Sequence, residues 1–176
     1  DTRTDIWQLG VIFDELITGN LPCKGDTVTD IIIAIATQDP VKPSTTNPDA
    51  EDLDSIVMRC LEKDPAKRYP SVLELQKEIG TFLKMNYTNS LNESLLTKNY
   101  GRSADYCADL LLVNMKLGGM VEAYKYASDL AQFVSGELKS VADEFVDQLK
   151  IRMEMNLLTI PDELVNKADI LVHKVK

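Results

Sequence analysis

Few side chains in this 176-residue sequence have the types and spacing that catalysis requires. Asp14 and Glu15 are adjacent carboxylic acids, and two carboxyl groups can act as general acid and general base. They lie in a segment with helical periodicity, where adjacent side chains point about 100° apart and do not converge on one substrate atom. The sequence therefore predicts no acid–base pair at this position.

Histidine and cysteine offer no alternative chemistry. His173 is the single histidine, and Cys23, Cys60 and Cys107 lie far apart with no C-x-x-C pair. A zinc site needs several such ligands, and an odd number of cysteines suits a reducing compartment better than a disulfide framework. We expect buried structural thiols, no metal site and a cytoplasmic location.

Charge and hydropathy exclude further classes of function. The chain has 19 basic and 28 acidic side chains, a net charge of -9, which argues against nucleic acid or an anionic membrane as partner. No apolar run approaches the ~20 residues that span a bilayer. The polar first residues show no signal peptide and no initiator Met, so we expect the chain to begin inside a larger protein.

The elements that position the candidate residues are predicted to be helices. Residues 5–18 are apolar almost all round, which is typical of a helix buried on every side. Residues 27–30 form a capping-box pattern that opens an isoleucine-rich helix over 27–37. An apolar stripe predicts a helix over 50–63, and Ser71 opens a further helix with another capping box.

The second half of the chain changes in character. Residues 85–101 are rich in Asn, Ser and Thr and are predicted to be a polar linker, with one short helical turn at most. Residues 102–176 contain four periodic segments separated by short turns, which predicts antiparallel neighbouring helices. The sequence thus predicts an all-α fold that ends in an antiparallel helical hairpin stack or bundle.

Two blocks of the first half carry a resemblance to a known family. The run D-I-W-Q-L-G-V-I begins at Asp5 and is followed by E-L-I-T-G and L-P; later come C-L-E-K-D-P and R-Y-P-S, which begins at Arg68. In order and spacing these motifs resemble the late C-lobe of a serine/threonine protein kinase. The resemblance covers about half of the chain, and we expect residues 1–84 to be an incomplete late C-lobe. Cys23 departs from the pattern, because the family usually has an aromatic residue there.

The resemblance implies structural roles for four residues. The acid matching Asp5 begins the central helix and accepts hydrogen bonds from the backbone of the catalytic loop; Trp7 and Gly10 belong to the same motif. The arginine matching Arg68 pairs with a glutamate upstream of that helix, which this sequence does not contain. Without the resemblance, Asp5 reads as an ordinary acid at a helix N-terminus and Arg68 as a solvated surface residue.

The resemblance also implies docking and a missing partner. The helix over 27–37 matches the substrate- and partner-docking helix, so Ile31, Ile32 and Ile35 could form a docking face, a core, or both. We expect protein substrates or adaptors as partners, together with an upstream kinase domain. The apolar helix over 5–18 could be covered by that domain, by residues 102–176, or by another copy in a homo-oligomer.

Catalytic residues of the family are absent from the sequence. Phosphoryl transfer in kinases needs a Gly-rich loop, a Lys–Glu pair, a catalytic Asp with an Asn, and the Asp-Phe-Gly aspartate on magnesium. None of these motifs occurs here. The resemblance therefore implies ATP and magnesium for a parent kinase, whereas this chain alone is expected to hold no cofactor and to transfer no phosphate.

A weaker resemblance concerns residues 102–176. Leu117-Gly118, Glu122-Ala123 and Ala127 are similar to a tetratricopeptide hairpin, but Leu111 is large where such repeats favour a small residue, and no clear second repeat follows. A repeat-like groove and a plain bundle both stay open. The alternatives to a kinase part are a non-enzymatic kinase-like or pseudokinase scaffold and an unrelated all-helical binding domain.

Overall fold

The computed structural model describes residues 2–176, and these form helices without any strand. The predicted all-α class is confirmed. None of the helices within these residues has the length and apolarity needed to cross a bilayer. The α-helices of this part of the chain are α1 Thr2–Thr18, α2 Val28–Thr37, α3 Asp54–Cys60, α4 Val72–Leu96, α5 Tyr100–Leu117, α6 Met120–Phe133, α7 Gly136–Glu154 and α8 Asp162–Val175.

The chain divides into two compact units, of which the first reaches to Ile79 and the second spans Gly80–Lys176. In the first unit α1 packs against α3. The buried positions of α1 are Ile6, Gly10 and Asp14, which recur every four residues on one face. The prediction of a helix buried on every side is wrong for this unit, because Leu16 is 77% exposed.

The capping box predicted for α2 is present. The Thr27 hydroxyl accepts from the backbone N–H of Asp30 at 3.2 Å, and the Asp30 carboxylate accepts from the backbone N–H of Thr27 at 3.0 Å. Two orphan donors of the helix start are thereby satisfied. α2 nevertheless buries only Ala34, so the cap fixes the helix start while most of its apolar surface stays exposed.

The helix predicted over 50–63 is shorter in the structure. Pro48–Leu53 form 3-10 turns, and α3 begins only at Asp54. The carboxylate of Asp54 accepts from the backbone N–H of Ser44 at 2.9 Å and from its hydroxyl at 2.6 Å. This carboxylate ties the start of α3 to the preceding loop, a contact that helical periodicity cannot reveal.

The predicted polar linker over 85–101 differs most from the structure. Residues 85–96 continue α4, and α5 already begins at Tyr100. Leu91 and Ser94 are buried, and the Ser94 hydroxyl lies 2.8 Å from that of Ser103. Tertiary packing overrides a composition that favours loop.

In the second unit, helices α5 to α8 form a closed ring. α5 packs on α6, α6 on α7 and α7 on α8, and α8 returns to pack on α5. Their inward stripes form one core, whose fully buried large side chains include Leu110, Leu111, Leu130, Leu149 and Leu171. Of the two predicted arrangements, this ring is a bundle, because an open hairpin stack would leave α5 and α8 apart.

Turn chemistry fixes the hairpin between α5 and α6. Gly118 has a φ of 78°, and its N–H donates to the carbonyls of Asn114 and Met115. Glycine adopts this left-handed conformation without steric cost, and the bonds satisfy carbonyls at the end of α5. The turn is short, so α5 and α6 must be antiparallel neighbours.

The cysteines occupy two kinds of environment. Cys60 and Cys107 are buried and Cys23 is half-buried. Burial raises the pKa of the Cys60 thiol to about 11 and that of the Cys107 thiol to about 12. These two thiols are protonated side chains that pack inside their own units.

Candidate functional site

Three side chains of the first unit meet at one site, which we name the Arg68 cluster: Trp7, Lys63 and Arg68. The guanidinium carbon of Arg68 lies 4.8 Å from the centre of the Trp7 ring, and Lys63 Nζ lies 4.9 Å from it. Cations at this distance are attracted by the negative face of an indole ring. The cluster therefore joins a residue of α1 to two residues that follow α3.

The Arg68 guanidinium also holds the backbone. Its Nε donates to the carbonyl of Glu62 at 2.7 Å, Nη1 to that of Arg3 at 3.0 Å, and Nη2 to that of Lys63 at 3.3 Å. Burial lowers the pKa of Arg68, and the nearby Asp64 carboxylate partly offsets the effect. The planar fork of donors thus fixes the first turn of α1 to the chain that follows α3.

These contacts differ from those that the resemblance implies. A carboxylate partner was expected for Arg68, whereas the donors named above bind carbonyl oxygens. Arg68 is half-buried, so it is not the solvated surface residue that the residues alone suggested. Backbone carbonyl partners leave no trace in a sequence pattern, which is why the prediction missed them.

Lys63 extends the cluster to α2. Its Nζ donates to the carbonyl of Ile35 at 2.6 Å, near the C-terminal end of that helix. A cation is favourable there because the helix dipole concentrates negative charge at its last carbonyls. Trp7, Lys63 and Arg68 then line a shallow cleft of about 280 Å³ together with Thr4 and Ile35.

The other motif residues of α1 have different environments. Asp5 is exposed, on a different face from the buried positions of the helix. Gly10 is buried, and a Cβ added to it would lie 2.6 Å from Cys60 Cβ and 3.1 Å from a methyl group of Leu61. The glycine therefore permits the close approach of α1 to α3.

The predicted docking positions on α2 are exposed in the structure. Ile31 is 36% exposed, Ile32 61% and Ile35 41%. Of the open alternatives, a buried core is not formed by these three side chains within residues 2–176. They leave an apolar surface on α2 that docking would bury.

Asp14 is a residue whose environment the sequence did not predict. It is only 4% exposed, and its Oδ1 atom has no hydrogen-bond partner within the described residues. Burial raises the pKa of this carboxyl, whereas the adjacent Glu15 is exposed. The two acids therefore lie in unlike environments. The only signal in the sequence was the position of Asp14 eight residues after Ile6, on the buried stripe.

The chemistry available at the Arg68 cluster is positional. It consists of two cations, an indole ring and backbone carbonyls, and none of these is a nucleophile or a base near neutral pH. Across residues 2–176 no three His, Cys, Asp or Glu side chains are grouped so that they could hold a metal ion. The cluster can fix helices relative to one another inside the first unit.

Comparison with known proteins gives matches over about half of the chain. A probable serine/threonine-protein kinase of Clostridium acetobutylicum is 34% identical over 94 residues, which are 53% of this chain and 14% of that protein. The serine/threonine-protein kinase PknB of Mycobacterium tuberculosis is 31% identical over 80 residues, 45% of this chain and 13% of PknB. PksC of Streptomyces coelicolor, also a serine/threonine-protein kinase, is 36% identical over 81 residues, covering 44% and 14%.

About half of this chain is related in sequence to serine/threonine-protein kinases. The matched segment spans about a seventh of the length of these curated relatives. No protein-family model matches the chain. The comparisons agree with the kinase resemblance and do not extend it to the whole chain.

Proposed function

We propose that residues 1–84 form the late C-lobe of a serine/threonine-protein kinase whose parent transfers the γ-phosphate of ATP to protein Ser or Thr hydroxyls. The observation that carries this proposal is the 31–36% identity to three proteins named as such kinases. The Arg68 cluster supports it, because an arginine in the expected motif holds α1 to the segment after α3.

Each element has a task under this proposal. α1 is the scaffold helix, with Asp5 directed to the catalytic loop of the parent and Gly10 allowing contact with α3. The exposed isoleucines of α2 dock a protein substrate or adaptor. The bundle of α5 to α8 is a protein-interaction module. ATP and magnesium bind to other parts of the parent, so this chain alone is proposed to lack phosphotransfer activity.

A chimeric kinase tests the proposal directly. Residues 1–84 would replace the segment that they match in Mycobacterium tuberculosis PknB, and magnesium-dependent phosphorylation of a protein substrate by [γ-32P]ATP would be measured. We expect the chimera to retain activity, and PknB shortened before that segment to have none. A folded chimera without activity would contradict the proposal.

Two variants make the chimera specific. Arg68→Met removes the hydrogen bonds to three carbonyls and should lower activity at least about tenfold, since hydrogen bonds of a charged donor contribute ~1.5–3 kcal/mol. Lys67→Met is the matched control, because Lys67 is the exposed neighbour of Arg68. The same measurement on the unfused 176-residue chain should give no turnover.

The second candidate is a non-enzymatic kinase-like scaffold. It is favoured by the exposed apolar face of α2 and by the closed helical bundle, which are surfaces for proteins rather than for nucleotides. If the chimera is inactive while Ile32→Asp still abolishes binding of a partner to the intact chain, the scaffold function is the better account.

A further inference from the structure

The first unit contains a second cleft, which the proposed function does not use. Its volume is about 370 Å³, and its walls come from the end of α1, the loop that follows it and the loop after α2. This volume lies near the lower end of the roughly 300–1,000 Å³ found for small-molecule sites. We name it the Asp14 cleft after its buried acid.

Asp14 gives this cleft a free acceptor. The residue lines the cleft and is 96% buried by the complement of its exposure, yet Oδ1 has no partner. A buried acceptor left unsatisfied is unfavourable by about 1–3 kcal/mol, and more for a charged group. Burial accordingly raises the pKa of the carboxyl. A donor entering the cleft would relieve this cost.

Two lysines on the same walls do not supply that donor. Lys24 Nζ donates at 2.7 Å to the side-chain oxygen of Asn20, and Lys42 is exposed. Both lysines line the cleft without a bond to Asp14 Oδ1. The cleft therefore combines one unsatisfied acceptor with two cationic donors.

This combination selects among ligand classes. A metal ion would be repelled by two ammonium groups, and an inorganic anion by the buried carboxylate. A zwitterion satisfies both, with its ammonium on Asp14 and its carboxylate on the lysines. The remaining wall includes Leu21 and Val41, which offer apolar surface to an aliphatic side chain.

We propose that the Asp14 cleft binds an aliphatic α-amino acid, whose ammonium group donates to Asp14 and whose carboxylate accepts from Lys24 or Lys42. The apolar side chain of the ligand lies against Leu21 and Val41. Binding at this site needs neither ATP nor the catalytic motifs of a kinase.

The test is an NMR titration of the full chain with L-leucine, L-leucinamide and N-acetyl-L-leucine. We expect L-leucine to shift the amide signals of the cleft residues saturably in the millimolar range. L-Leucinamide lacks the carboxylate and N-acetyl-L-leucine lacks the ammonium, so each should bind roughly tenfold more weakly or worse. Absence of saturable shifts with L-leucine would overturn the proposal, and equal binding of leucinamide would replace it with a site for cations such as a peptide N-terminus.

Variants locate the site. Asp14→Asn keeps the size of the side chain, and Lys42→Gln changes an exposed residue that cannot compromise the core. Each should weaken L-leucine binding about tenfold, whereas Asp49→Asn, an exposed acid outside the cleft, should leave it unchanged. Unchanged affinity in both cleft variants would overturn the assignment. Because no phosphotransfer is measured, failure here is distinct from failure of the chimera.

Discussion

The two compact units bury their apolar side chains to different extents. In the second unit, the ring of α5 to α8 encloses a continuous core with completely buried leucines. In the first unit, α2 exposes four isoleucines at positions 31, 32, 33 and 35. Fully burying one such side chain is worth ~1.5–3 kcal/mol, so the first unit forgoes stabilisation that the second obtains.

The units are therefore held together by different means. The bundle depends on filled volume, whereas the first unit depends on one close helix approach at Gly10 and on the carbonyl contacts of Arg68. The unequal burial teaches that the first unit is the part whose surface needs a partner. The single tryptophan, Trp7, reports on the first unit alone, which makes the contrast measurable.

The largest effect is expected for Leu111→Ala in the core of the bundle. Removing a fully buried leucine leaves a cavity and should lower the free energy of unfolding by ~2–5 kcal/mol. Urea unfolding followed by far-UV circular dichroism measures the loss, and the Trp7 fluorescence midpoint should stay in place. Leu96→Ala, at an exposed position, is the control. A matching shift of the Trp7 midpoint would mean that the two units unfold as one.

Gly10→Ala should affect the other unit. The added Cβ would lie 2.6 Å from that of Cys60, so α1 and α3 must move apart at a cost of ~1–3 kcal/mol. The measurement is the urea midpoint of Trp7 fluorescence. Gly101→Ala is the matched control in α5, because its Cβ would meet only a side-chain oxygen at 3.9 Å. Equal effects of both substitutions would refute the close-approach explanation.

Thiol reactivity should separate the cysteines without any change of fold. At pH 8 we expect a thiol reagent to label Cys23 quickly, and Cys60 and Cys107 only in urea, because burial raises the pKa of both. Above pH 9, the ordinary pKa, the unfolded chain loses these protons while the folded chain keeps them. Stability should therefore fall as the pH rises from about 9 towards about 11. Cys23→Ser should remove the fast reaction, and rapid labelling that persists would contradict this account.

The smallest effect is expected for Ile32→Ser on α2. This side chain is mostly exposed, so its loss should change the free energy of unfolding by less than about 0.5 kcal/mol. Ile56→Ser, at a buried position of the same unit, is the control and should be severely destabilising. A large loss of stability from Ile32→Ser would show that α2 is covered after all, and would abolish the contrast between the units.

Local signals predicted most of the helices correctly. The capping box at Thr27 sets the start of α2, and Gly118 ends α5, because both act through atoms within a few residues along the chain. The polar run over 85–101 was misread, since its helix depends on the burial of Leu91 and Ser94. Propensity cannot report contacts that form with distant residues.

The candidate site divides in the same way. The motif order around Asp5 and Arg68 indicated a kinase-like region, and sequence relatives support that at the level of the family name. The carbonyl partners of Arg68 and the unsatisfied oxygen of Asp14 were invisible, because Arg3 and Arg68 are 65 positions apart and burial depends on packing.

By itself, the sequence determined the helical class, the caps and the kinase-like order of motifs, since these arise from periodicity and from neighbours along the chain. Only the tertiary structure decided that the bundle closes on itself, that Arg68 holds three carbonyls, and that Asp14 is buried with a free acceptor. Those features depend on which distant segments meet and exclude water, and no local pattern of residues specifies that.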